Sequence, residues 1–292
     1  MPQWEGKSKG TPLGYSIFIG ILKTGGVRPA YFLLRFVAFY YFLFARKSFK
    51  ALWYYFRKRL GFGRMRSMGK IYRNYYLFGQ ALIDRVVLMS GIRNNFSFDF
   101  DGEEYLHEMV RNGKGGLLLS AHIGNWEIAG HLLKRLQTRI NIVMFDGEHQ
   151  KIKQYLEGVT GERNANIIVI KDDISHIYAI TDALAKNELV CMHADRFMDN
   201  NKTMEAVFLH EKALFPAGPF VLATRLKAPV SFVFAMKENA MHYHFYATPA
   251  KEYTGSDKAL LQQQILADFV AGMEQKVKAY PEQWYNYYPF WK

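Results

Sequence analysis

One cysteine, Cys191, stands alone in a chain of 292 residues. An intrachain disulfide framework and a zinc site of paired cysteines are both excluded by that count. Acidic residues are scarce as well: 26 Asp and Glu face 38 Lys and Arg, for a formal net charge of +12. Such a balance points to an anionic partner, either nucleic acid or an anionic membrane surface. No internal repeat or low-complexity tract is visible. No G-x-S-x-G elbow surrounds any serine, Ser120 included, so a serine-hydrolase reading fails. The opening MPQWEGKSKG carries neither the apolar stretch nor the small-residue cleavage site of a secretory signal.

Apolar residues, by contrast, are plentiful. Half the residues are hydrophobic and 16% are aromatic, enough for a sizeable core and against global disorder. Residues 29–45 read PAYFLLRFVAFYYFLFA, interrupted only by Arg35. A bilayer-spanning helix needs roughly 17–25 such residues, so the run sits at the lower limit. Residues 46–66 follow with basic side chains interleaved among Tyr, Trp and Phe, a pattern that an anionic headgroup layer attracts. Residues 1–66 are accordingly expected to form a membrane-associated helical region, as a shallow span or an in-plane anchor. A buried helical hairpin with a solvated basic face is the alternative. Nucleic acid is disfavoured, because the charges flank a greasy run and not a polar surface.

Residues 67–292 are expected to form an α/β domain. Apolar runs at 116–121, 140–145, 166–171 and 188–194 suit strands buried on both faces. Helical stretches near 126–137, 147–158 and 175–187 separate them, and this alternation predicts a mainly parallel sheet flanked by helices. Two further strands at 229–237 and 241–247 and a helix at 257–280 complete the reading.

The stretch GKGGLLLSAHIGNWEIAGHLLKRL holds the chemistry. A buried strand ends at Ala121, a turn follows, and Asn125 is a good N-cap for the next helix. His122 then sits at a strand's carboxyl end, where open α/β sheets place ligands. Glu127 falls in the first helical turn, where the helix dipole favours its charge. Within one regular helix, residues five apart point about 140° away from each other. The intervening turn removes that obstacle, so the imidazole can donate one N–H to the carboxylate and keep its other nitrogen for an attacking hydroxyl. A capping histidine beside a solvated glutamate is the plainer alternative.

Asp195 and Arg196 follow another buried strand, and Arg196 there offers a fork of donors to a phosphate or carboxylate, or merely a surface ion pair. In Phe215-Pro216-Ala217-Gly218-Pro219, the amides of a helix start suit a phosphate or oxyanion, unless the segment is only a tight turn. His131 lies four residues after Glu127 but lacks further ligands of zinc-like spacing. His242 and His244 alternate on one side of a strand, and Cys191 lies inside an apolar one, so none of these is expected to do chemistry.

The motif His-x-x-x-x-Glu after an apolar strand resembles the glycerolipid and lysophospholipid acyltransferase superfamily. HIGNWE is most similar to its late lipid A acyltransferase branch. HADR (193–196), EKALFPAGPFVLA (211–223), APVSFVF (228–234) and PEQW (281–284) are similar to that branch's later blocks, in the same order. Departures are Arg196 after the Asp, Phe208-Leu209-His210 in place of Phe-x-Gly, and YNYYPFWK in place of a basic tail. The resemblance implies an O-acyltransferase with His122 and Glu127 as its catalytic pair. It also implies that Asn125, Asp195, Arg196, Pro216 and Gly218 bind substrate, and that no metal or organic cofactor takes part. The donor would be acyl-carrier protein or acyl-CoA and the acceptor a lipid or glycolipid of lipid A type, at the cytoplasmic face of the bacterial inner membrane. The same chemistry on an amino-acid lipid, a polyene lipid or a lysophospholipid stays open, as does a catalytically idle membrane-binding module.

Overall fold

The structure, a computed structural model, describes residues 12–126, 128, 136–145, 165–171, 173–198 and 201–291. It opens with four helical segments: α1 (Pro12–Gly25), α2 (Val27–Phe44), α3 (Arg46–Tyr54), which runs into a π turn at Tyr55–Arg59, and α4 (Arg64–Met89). After β1 (Ser97–Asp101) and α5 (Glu103–Arg111) come β2 (Gly116–Ser120), β3 (Ile140–Phe145) and β4 (Ala165–Ile170). Next are α6 (Ser175–Ala185), β5 (Leu189–His193), the hairpin β6 (Thr203–Phe208) and β7 (Glu211–Pro216), and α7 (Gly218–Leu226). The chain closes with β8 (Val230–Asn239), β9 (His242–Ala247) and α8 (Lys258–Ala279).

Seven strands form one sheet in the order β1-β9-β8-β2-β5-β3-β4. The five from β8 to β4 are parallel, and β9 joins β8 antiparallel as a hairpin partner. Central β2 is buried along its whole length, which is why its sequence is an unbroken apolar run and not an alternating one. The sheet is flanked by helices, so the α/β class with a mainly parallel sheet holds. The edge strand β1 and the β6–β7 hairpin were not anticipated; β1 alternates exposed and half-buried positions and carries three polar residues of five. The helices expected near 126–137 and 147–158 fall largely outside the described residues.

Helix α2 has two opposite faces. Val27, Ala30, Tyr31, Leu34 and Ala38 are buried, while Phe32, Phe36, Phe39, Tyr40, Leu43 and Phe44 are exposed. It is the one helix among the described residues long and apolar enough to cross a membrane. Leu52, Tyr55 and Phe56 join the same core as Leu117, Phe208 and Trp284, and residue 66 lies in the first turn of α4. Side chains of the N-terminal helices thus share one buried core with the sheet.

Helix α4 is the spine that holds the sheet's carboxyl edge. Asn74 Nδ2 donates to the carbonyls of Glu282 and Trp284. Two turns on, the Ala81 carbonyl accepts from Asn125 Nδ2 at 3.1 Å. Asp84 follows, fully buried, and meets Lys237 Nζ at 2.5 Å with the Tyr31 and Tyr243 hydroxyls also donating to it. Burial pushes the Asp84 carboxyl up, opposed by Lys237, and pushes the Lys237 amine down, opposed by Asp84. A buried pair of this kind survives on its added hydrogen bonds, which here also tie α2 to α4 and the β8–β9 hairpin.

Candidate active site

Parallel register builds the site. β2 and β5 pair from Gly116↔Leu189 through Ser120↔His193, and Ala194 N donates to the Ser120 carbonyl at 2.9 Å. Two residues beyond each strand end, the same register sets His122 opposite Asp195. Asp195 is fully buried and holds His122 twice: Oδ1 takes the ring Nδ1–H at 2.7 Å and Oδ2 takes the backbone N–H at 3.0 Å.

Electrostatics then assign the protons. Burial alone would raise the Asp195 pKa, but the electrostatic pull of the His122 ring, then its hydrogen bond and the Arg196 guanidinium, outweigh that and hold it well below the usual carboxylate range. An ionised carboxylate only accepts, so the proton of the neutral imidazole sits on Nδ1. His122 Nε2 is left as an acceptor, buried and without a hydrogen-bond partner among the described residues. Burial, and next the Arg196 charge, lower the His122 pKa against the pull of Asp195. The resting group is a neutral base with one lone pair on offer.

Two rings flank it. His193, the last residue of β5, lies with its centroid 4.1 Å from that of His122, and Trp126 meets His193 edge-on at 4.4 Å. Burial drives His193 well below the usual histidine range. A narrow apolar slot starts beside Ser120, Trp126 and His193 and runs down the sheet past Cys191, Ile140 and Leu106. Cys191 is pushed up to about 12 by burial, as befits a slot wall and not a nucleophile.

The turn after β2 is clamped from the other side by the C-terminal segment. Gly124 N donates to the Gln283 carbonyl, Tyr285 N to the His122 carbonyl, and Ile123 bridges Trp284. Gln283 in turn exchanges two side-chain bonds with the Lys237 backbone. Gly124 has φ +66°, and a Cβ there would stand 2.0 Å from the Ala235 carbonyl oxygen, so only glycine fits. PEQW is therefore a brace for the histidine turn.

The expected site residues are distributed as follows. His122, Asp195 and Arg196 come together, with Arg196 Nη2 donating to the Tyr285 carbonyl at 2.6 Å. Glu127 lies outside the described residues, and Asp195, expected on substrate, is the carboxylate seen on the imidazole. Asn125 is buried, and its Nδ2 donates to the Ala81 carbonyl and the Tyr243 hydroxyl, which seats the turn on α4. Pro216 ends β7 opposite Thr203, and Gly218 opens α7 with open space above it; the bonds that gather the histidine involve neither. His193 was missed, although its place at the end of an apolar run was a readable signal. Among the described residues, no group of three His, Cys, Asp or Glu is arranged to hold a metal.

The family profile described as bacterial lipid A biosynthesis acyltransferase matches residues 60–292. A phosphatidylinositol mannoside acyltransferase of Mycobacterium tuberculosis strain H37Rv is 27% identical over 195 residues, covering 65% of this chain and 58% of that protein. The same enzyme from strain CDC 1551 matches equally. The chain thus spans little more than half the length of these curated relatives. Among solved structures, the 1-acyl-sn-glycerophosphate (LPA) acyltransferase PlsC of Thermotoga maritima matches with a TM-score of 0.39 and 13% identity, over 85% of this chain and 97% of that one.

Proposed function

This chain belongs to the bacterial lipid A biosynthesis acyltransferase family, and we propose that it moves a fatty acyl chain from an acyl thioester to a sugar hydroxyl of a membrane glycolipid. The carrying observation is His122, with Nδ1–H bound to Asp195 and Nε2 unpartnered among the described residues at the sheet's carboxyl edge. Nε2 takes the proton of the acceptor hydroxyl as its oxygen attacks the thioester carbonyl. The tetrahedral intermediate collapses, the C–S bond breaks, and the thiolate leaves with the proton returned from the imidazolium. Asp195 steadies that imidazolium by charge and orientation, and Glu127 completes the pair that the sequence motif assigns. Arg196, one residue past the orienter, holds an anionic group of donor or acceptor.

The apolar slot supports an acyl donor, since Trp126 and His193, which flank the base, both line it and its walls are mostly apolar, with Asp101 and Glu103 the charged exceptions. Acyl-carrier protein and acyl-CoA are the donors to compare. For the membrane, α2 supports an in-plane anchor: one face is sealed to α4 through Tyr31 and Asp84, and only the aromatic face remains for lipid. We place it at the cytoplasmic face of the bacterial inner membrane.

The test pairs purified protein with acyl-carrier and CoA thioesters and with lipid A-type disaccharide, mannosylated inositol lipid and lysophospholipid acceptors. Ester formation on a glycolipid, lost in His122→Ala, is the expected result. Acylation of the lysophospholipid alone would refute the glycolipid acceptor, and full turnover by His122→Ala would refute the base.

A further inference from the structure

A second site lies on the far side of the PEQW brace from His122. An open groove of about 560 Å³ runs between α2, α4 and the turn joining β8 to β9. Arg28, Phe32 and Arg35 of α2 form one wall, and Arg73 and Tyr76 of α4 face them. Two carboxylates also line it, but both are engaged: Glu282 by Lys70 and Arg73, and Glu238 by His244 and Tyr280. Arg28 and Arg35 make no ion pair among the described residues. They are seven residues apart, two helical turns, and so share one flank of α2 about 10 Å apart. Phe32 lies between them and begins the exposed aromatic face that continues through Phe36, Phe39 and Phe44.

We propose that this groove binds the phosphate of an anionic membrane phospholipid, whose acyl chains lie along the aromatic face of α2. Charge complementarity selects the headgroup, and the adjoining apolar face supplies what a free phosphate would not use. Gln283 lines the groove while its carbonyl holds Gly124 in the histidine turn. A lipid seated there therefore stands one chain segment away from the reacting group and acts as a tether, turning the carboxyl edge of the sheet toward the bilayer. This inference rests on the in-plane reading of α2.

Flotation of the full-length chain with phosphatidylcholine vesicles, with and without phosphatidylglycerol, tests it. The parent should prefer the anionic vesicles. Arg28→Lys/Arg35→Lys keeps the charge but loses the bidentate fork, and should cost the preference roughly three- to tenfold. Arg28→Gln/Arg35→Gln should cost more, and more than Lys47→Gln/Lys50→Gln, which removes the same charge from exposed positions of α3. Equal losses in the two glutamine pairs, with the lysine pair unchanged, would reduce the groove to general attraction and overturn the site. Phe36→Ser/Phe39→Ser should weaken flotation on both vesicles; unchanged flotation there would instead overturn the in-plane reading. Glycerol 3-phosphate should compete poorly, and effective competition would identify a site for a soluble phosphate, contrary to the proposal.

Discussion

Asp195 holds His122 by both its ring and its backbone, at 2.7 and 3.0 Å, from a strand that enters the chain some seventy residues later. The double grip fixes the tautomer and the tilt of the base at once. Asp195→Asn should therefore lower kcat by about 10²–10⁴-fold with little change in KM. An amide also donates where the carboxylate only accepts, which favours the wrong tautomer. Steady-state kinetics decide the matter: a raised KM with normal kcat would make Asp195 a substrate ligand.

Burial, then the charge of Arg196, keep the His122 pKa below its usual range. A base acts unprotonated, so the rate should rise with pH through that lowered value and level off by neutrality. Arg196→Gln removes one lowering cause, and the acidic limb should move to higher pH. A limb that moves the other way would contradict the assignment. Folding follows the same group. The unfolded histidine titrates near about 6.5 and binds protons the buried ring refuses, so stability should fall as pH drops from there toward the lowered value.

Gly124→Ala places a methyl group against the Ala235 carbonyl in a left-handed backbone. The turn must shift, and His122 with it. Activity should fall at least tenfold, since small misplacements at a reacting centre cost that much or more. Normal kinetics in the folded variant would show that the brace is not needed for positioning.

Asp84→Ala should destabilise the protein by about 3–5 kcal/mol, because it strands the buried Lys237 charge. Adding Lys237→Met should restore much of that loss, as the methionine fills similar space without a charge. Denaturant titration of the single and double variants measures the difference. A double variant no more stable than Asp84→Ala would mean that the tyrosine hydroxyls, and not the ion pair, hold α2 in place.

Cys191→Phe should shorten the acyl chain that the protein accepts. The thiol lines the slot below His193, and a phenyl group there blocks its deeper part. Overpacking costs about 1–3 kcal/mol, which leaves a folded variant to assay. A series of thioesters of increasing length reads the result, and an unchanged optimum would place the chain elsewhere.

The strands of the parallel sheet were legible in the sequence because burial on both faces leaves an apolar run that few other elements produce. His122 was legible for a related reason: a strand end, a turn and an N-cap residue occur within a few positions, so local chemistry suffices. The edge strand β1 was not, since a half-exposed edge with acids at Asp99 and Asp101 carries no comparable signal. Asn125 had the composition of a ligand, yet its amide turns toward Ala81, and only the position of α4 decides that. The row Asn74, Ala81 and Asp84 follows helical spacing, but the sequence does not name what meets it. Asp195 is the clearest case. Its place at the end of an apolar run was readable, whereas its partner was not, because two residues 73 apart meet only through the register in which β2 and β5 align. Local pattern determined which segments form the sheet and where its reactive edge lies. Which side chains face each other across that edge was decided by strand order and register, set by the packing of the whole core and recorded in no single stretch of chain.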